Sequence, residues 1–214
     1  MSLALASYNH HGIIMCADKL INTSYNRSGI DYTINQSSTE EKLFLIGNQF
    51  GLSYTGTASI DNGPISAVIE KYIALCPLVN ETPSNWLFQL ATFFKSKMPD
   101  SHNTIFTLCG YYYGKRIVIS NSTQNPIIKV VTEECGLIYS GESYYISNLV
   151  NAEHIAFDYS KFTMQDSIDF LRFLVKTVSG LMHFGQCLPT VSEDCDILAI
   201  YPNKAYWVQH STLH

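Results

Sequence analysis

The chain has 214 residues, 46% of them hydrophobic and only 14% charged, with a formal net charge of −5 and a pI near 5.7. That length supports one well-filled core, and no Pro-, Gly- or Ser-rich stretch divides it, so a single domain over residues 1–214 is expected. A negative balance with scattered lysines and arginines leaves no footprint for nucleic acid. The N-terminus lacks the charged segment and apolar run of a signal peptide, and no stretch is long enough to span a bilayer; no membrane partner and a cytoplasmic location are expected. So many apolar residues beside so few charges suggest surface buried between copies, that is, a homo-oligomer. The six cysteines lie in apolar segments without a Cys-x-x-Cys pair and read as buried free thiols.

In chain order, Leu3 to Tyr8 and Ile13 to Ala17 read as a hairpin, with Gly12 opening the second strand and Asp18 closing it. From Leu20 to Glu41 the chain is rich in Asn, Ser and Thr and reads as a long surface loop. Lys42 to Ile46 and Phe50 to Thr55 form the next strand pair, ending at Gly56. The period then changes. Pro64 precedes Ile65, Val68, Ile69, Tyr72 and Ile73, and Thr82-Pro83 precedes Trp86, Leu87, Leu90, Phe93 and Phe94, giving two amphipathic helices.

Strands follow at Thr104 to Tyr111, Arg116 to Asn121, Ile127 to Val131 and Leu137 to Tyr139, then a short helix from Glu142 to Asn151. Thr163 and Asp166 make a capping box before Ile168, Leu171, Leu174, Val175 and Leu181, and strands at Asp196 to Tyr201 and Ala205 to Gln209 close the chain. This order fits an α+β fold, a four-layer αββα sandwich of two mainly antiparallel sheets with helices on the outer faces.

The opening segment carries the chemistry. Ser2-Leu3-Ala4-Leu5-Ala6, followed by Gly12-Ile13-Ile14-Met15-Cys16-Ala17-Asp18, resembles the start of catalytic proteasome β subunits: nucleophile, strand, Gly turn, apolar strand, Asp. Lys42-Leu43-Phe44-Leu45-Ile46 stands where that family's catalytic Lys begins a strand, and Tyr54-Thr55-Gly56-Thr57-Ala58 where its Gly-containing turn enters a helix. Ser140-Gly141 resembles its Ser-Gly at a strand-to-helix junction. The resemblance is to a bacterial proteasome-like homologue among the N-terminal-nucleophile (Ntn) hydrolases. It implies Ser2, Asp18, Lys42 and Ser140 as catalytic residues, Gly56 at the oxyanion, Asn22 and Thr23 along an extended peptide, and Tyr54 at the floor of the specificity pocket. It also implies stacked rings, with any unfoldase partner left unidentified.

The same residues make chemical sense by themselves. A serine hydroxyl needs a base, and a free α-amine, with a pKa of about 7.7–8.0, is one at neutral pH. Only an N-terminal residue carries both groups, so Met1 must be removed. A Lys42 ammonium nearby holds that amine closer to neutral, and Asp18 pairs with Lys42. The turn at Gly56 aims a backbone N–H at a developing oxyanion. The expected reaction is amide or peptide hydrolysis through an acyl-enzyme, with no metal and no cofactor.

The family's nucleophile is usually Thr, the segment between Asp18 and Lys42 is longer than usual, and the late loop Leu188-Pro189-Thr190-Val191-Ser192-Glu193-Asp194 has no Asp in register, leaving Ser192 or Asp194 as substitutes. An inactive structural subunit and a small-molecule amidase are therefore the alternatives. His10-His11 reads as a turn, because adjacent strand residues point to opposite faces and no third ligand is close.

Overall fold

The computed structural model describes residues 2–27, 30–60, 63–152, 156–185 and 188–210, with side chains described except at 23–27, 30–33, 35, 36 and 80. The strands are β1 (Leu3–Asn9), β2 (Gly12–Asp18), β3 (Ile21–Arg27), β4 (Ile30–Ser37), β5 (Leu43–Ile46), β6 (Phe50–Gly56), β7 (Ser59–Ile60), β8 (Gly63–Pro64), β9 (Thr104–Tyr112), β10 (Lys115–Ser122), β11 (Lys129–Val130), β12 (Gly136–Gly141), β13 (Cys195–Tyr201) and β14 (Lys204–Gln209). The helices are α1 (Ile65–Leu75), α2 (Pro83–Lys95), α3 (Ser143–Val150) and α4 (Met164–Phe184).

Two five-stranded antiparallel sheets form the centre, one in the order β12-β1-β2-β13-β14 and the other β11-β10-β9-β6-β5. Strand alternation sorts their side chains into layers. Leu3, Leu5, Ile14, Cys16 and Ile197 face α3 and α4, meeting Ile146, Leu171, Leu174, Val175 and Val178. Phe44, Leu52, Tyr54, Phe106 and Ile119 face α1 and α2, meeting Ile69, Trp86, Leu87, Leu90 and Phe94. Ala4, Ala6, Met15, Leu43, Cys109, Val118 and Leu198 fill the layer between the sheets. The αββα sandwich expected from the element order is the observed architecture.

Helix starts follow their caps. The Thr82 side chain accepts from the Asn85 N–H with Pro83 in the first turn, and Thr163 with Asp166 closes a reciprocal capping box before α4. Asn121 Nδ2 donates to Leu87 O at 2.9 Å, tying β10 to the α2 backbone.

Four expectations are corrected. The segment between Asp18 and Lys42 holds the hairpin β3–β4 rather than a plain loop: Thr23, Tyr25, Tyr32 and Ile34 are β-formers spaced among the Asn and Ser that masked them. The strand expected at Ile127 to Val131 shrinks to Lys129–Val130, with Ile127 exposed. In α4 the buried stripe continues through Val178 and Met182, so Leu181 faces outward. Cys16, Cys109 and Cys195 are buried thiols, but Cys76 is exposed just past α1 and Cys135 is half-buried; Cys187 lies outside the described residues.

Trp86 is the largest fully buried side chain, with its indole Nε1–H donated to Cys76 O at 2.6 Å. Trp86→Ala is expected to lower the unfolding free energy by about 3–5 kcal/mol, read from urea denaturation, because it opens a cavity and orphans that carbonyl.

Candidate active site

β1 starts beside β12 and β2 in the interior of its sheet, so the first residues of the chain are buried at once. Ser2 is only 3% exposed, and its carbonyl accepts from the Glu142 N–H at 2.9 Å. Ser2 lies two residues from Ala4 and four from Ala6, on the β1 face that looks into the layer between the sheets. Gly141 makes the fit possible. It has φ +91°, and a Cβ there would lie 1.7 Å from Ser2 O, so this position excludes any side chain.

Asp18, at the end of β2, is the hub. Its Oδ1 accepts from the Leu3 N–H at 2.8 Å and from Lys42 Nζ at 2.9 Å; its Oδ2 accepts from the Leu20 N–H at 2.9 Å and the Ser192 N–H at 3.4 Å. Both charges of the Asp18–Lys42 pair are fully buried, and Lys42 also donates to Leu20 O. Burial depresses the Lys42 pKa below its ordinary value, while Asp18 opposes that shift. The structure thus brings Ser2, Asp18 and Lys42 to one place around the start of β1.

Ser140 pairs with Ala4 across β12 and β1 and is nearly buried beside Gly141. Gly56 ends β6 opposite Thr104 at φ +112°, and a Cβ there would meet Asn103 O at 2.2 Å, so the glycine is required by the turn itself. Asn22 donates its Nδ2 to Pro189 O at 2.9 Å, pinning the late loop to β3, while its Oδ1 is buried without a hydrogen-bond partner among the described residues. Thr23 falls in β3, but its side chain lies outside the described residues. Tyr54 is 1% exposed in the core under α1 and α2, donating its hydroxyl to Glu40 Oε1 at 3.2 Å. That desolvation raises the phenol well above its ordinary pKa. His10 and His11 form the β1–β2 turn, where Asn9 Oδ1 accepts from the His11 N–H.

Of the two late-loop substitutes named from the sequence, Ser192 is the one that reaches Asp18, and several further supporting groups escaped sequence reasoning. The Ser192 hydroxyl accepts from the Lys19 N–H at 3.0 Å and donates to Asp194 O at 2.7 Å, so the late loop meets Asp18 through the Ser192 N–H and Lys19 through the hydroxyl, without a carboxylate of its own. Lys19 and Asp196 form a second buried ion pair at 3.0 Å. The Asp18-Lys19 dipeptide at a strand end was the available signal, since both side chains fold inward to opposite-charge partners. Glu142 Oε1 accepts from Thr190 Oγ1 at 2.5 Å, joining the strand that seats Ser2 to the late loop. Glu41 has its pKa lifted to about 7, by burial first and by the Glu70 carboxylate second.

Back-to-back antiparallel sheets, helices on both outer faces and a buried chain start on an interior strand define a proteasome-like fold. Solved structures with this fold include Anbu proteins. A mutant form of Anbu from Hyphomicrobium sp. strain MC1 superposes with a TM-score of 0.69 at 13% identity, covering 97% of this chain and 87% of that one. Anbu from Yersinia bercovieri, described as an ancestral beta-subunit, gives a TM-score of 0.66 at 13% identity, covering 96% of this chain and 87% of that one. No family model matches the chain, and no curated protein matches it. These findings correct the family resemblance read from the sequence: the likeness is one of fold, to Anbu proteins, and it does not place the chain among the catalytic proteasome β subunits.

Two predictions follow the electrostatics. Asp18→Asn leaves the Lys42 ammonium buried without its counter-charge and is expected to cost about 3–5 kcal/mol in urea unfolding, part of it recovered by adding Lys42→Met. For Glu41 the folded chain holds a proton that the unfolded chain releases from its ordinary value of 4.5 upward. The stability it contributes is therefore full below that value and lost as the pH rises through about 7. The urea midpoint should fall between about pH 5 and pH 8 in the native chain, and fall less in Glu41→Gln.

Proposed function

We propose that the chain is an N-terminal-nucleophile amide hydrolase acting on peptide-like substrates, with Ser2 as nucleophile once Met1 is removed. The observation that carries this reading is the Asp18 clamp, which fixes the Leu3 N–H and the Lys42 ammonium from a single carboxylate oxygen. Asp18 organises the fold, but a buried ion pair by itself is weak support for stability, so a structural purpose does not account for the whole arrangement. It has a clear chemical one.

The freed α-amine takes the proton from Ser2 Oγ as that oxygen bonds to the substrate carbonyl carbon. The Lys42 charge disfavours the ammonium form of the amine and so keeps it basic. The Gly56 N–H faces the tetrahedral oxyanion, a donor worth about 2.7–4 kcal/mol where its equivalent has been removed in other enzymes. Collapse breaks the C–N bond, the α-ammonium returns its proton to the leaving nitrogen, and an ester on Ser2 remains. Water then attacks the ester, giving its proton to the same amine, and releases the acid. Ser140, seated beside the Ser2 strand, steadies the amine end of this set. An extended substrate strand lies along β3, where Asn22 Oδ1 offers a buried acceptor awaiting a donor. Tyr54, packed in the core under α1 and α2, takes no part in this reading.

The chain works in this reading as one catalytic unit, and exposed Phe173, Leu181 and Phe184 on α4 with Tyr144 on α3 provide apolar surface for a homo-oligomer. The description of the Yersinia protein as a beta-subunit supports assembly. One observation favours a second reading, an inactive assembling subunit: the late loop meets Asp18 through the Ser192 N–H and brings no carboxylate there.

Intact mass and a peptide epoxyketone separate the two. Hydrolase function requires loss of Met1 and one adduct on Ser2, absent in Ser2→Ala; Lys42→Ala is expected to slow adduct formation by about a hundredfold or more. Retained Met1 on protein made from its own start codon blocks the amine and leaves the assembling subunit.

A further inference from the structure

Most of the layer between the sheets is apolar, but one end is not. Ser53, Thr107, Ser120 and Lys129 are successive cross-strand partners on β6, β9, β10 and β11, so they form one row across the second sheet. Their sequence neighbours Leu52, Tyr54, Phe106 and Ile119 point to the helices, which turns the row toward the first sheet. Facing it is the pair Ala4 and Ser140. Small side chains on that side leave a gap, and the result is a cavity of about 440 Å³ walled by these residues.

Its chemistry is specific. Ser53, Thr107 and Ser140 are nearly buried, yet among the described residues no side-chain hydrogen bond engages these hydroxyls or that of Ser120. A sheet interior normally fills such positions with branched apolar residues, whereas here the hydroxyls line a cavity with their hydrogen-bonding capacity free for a ligand. Lys129 supplies a single positive charge at the outer strand, and no carboxylate is present among the described wall residues. Ile105 and Leu137 add an apolar side.

We propose that this inter-sheet slot binds a small monocarboxylate with a short apolar tail, its carboxylate on Lys129 and the hydroxyl row. A phosphate monoester, with a charge of about −1.5 to −2, would be left half compensated by one lysine. The cavity volume is in the range of small-ligand sites, about 300–1,000 Å³. The site rests on the wall chemistry and does not depend on Ser2 being a nucleophile. Its occupant touches Ser140, whose strand continues into Gly141 and Glu142 against the Ser2 carbonyl.

The test is calorimetric titration of the full chain with N-acetyl-leucine and, separately, its carboxamide. The acid is expected to bind at least tenfold tighter than the amide. Lys129→Met, an exposed substitution, should erase that preference, and Thr107→Val, close to isosteric, should weaken the acid further. Ser2→Ala should bind as the native chain does. Equal affinity for acid and amide, no binding of the acid, a preference unchanged in Lys129→Met, or loss of binding in Ser2→Ala would each overturn the proposal, the last by moving the carboxylate to the nucleophile.

Discussion

A fully buried carboxylate organises this molecule. Asp18 receives N–H donors from the start of β1, from the chain leaving β2 and from the loop before β13, as well as the Lys42 ammonium at the head of β5. A bare carboxylate in that position would cost many kcal/mol in desolvation, and only this set of donors makes its ionised form tolerable. The same donors cannot move independently, because each is part of a strand or loop that the carboxylate fixes. Asp18 therefore joins stability to the placement of Ser2 in one group.

Around that hub, the fold supplies rigidity in proportion to closeness. β1 is bonded on both sides, by β12 and β2, and its side chains alternate between two well-filled layers. Gly141 lets β12 approach the Ser2 carbonyl more closely than any other residue could. The remaining arm is the late loop, held by Asn22, Ser192 and the Glu142–Thr190 contact. Val191 anchors the middle of the same loop in the core against α4, so the polar contacts flank a buried apolar one.

Much of this was legible beforehand. The β1–β2 hairpin, the capped helices and the closing strands declare themselves by period and punctuation, and the sandwich follows from their order. The Asp18–Lys42 pair was readable because a charged residue ending an apolar strand needs a buried partner. The β3–β4 hairpin was not, since Asn and Ser diluted its Thr, Tyr and Ile pattern. Ser192 was named as one of two substitutes in the late loop, but its contact to Asp18 runs through a backbone N–H that any residue carries. The hydroxyl row escaped for a related reason: Ser53, Thr107 and Ser120 are spread along the chain and become neighbours only through register.

The span of the Asp18 contacts also sets an order of events. Its partners come from positions as far as 174 residues away in sequence. Such distant contacts close late in folding, after local hairpins and helices have formed. A partly unfolded chain would carry Ser2 without the contacts that hold Leu3 and Lys42 together beside it. The geometry around the start of β1 is in this sense a reporter of tertiary structure: it is complete only once the loop carrying Ser192 has closed on Asp18.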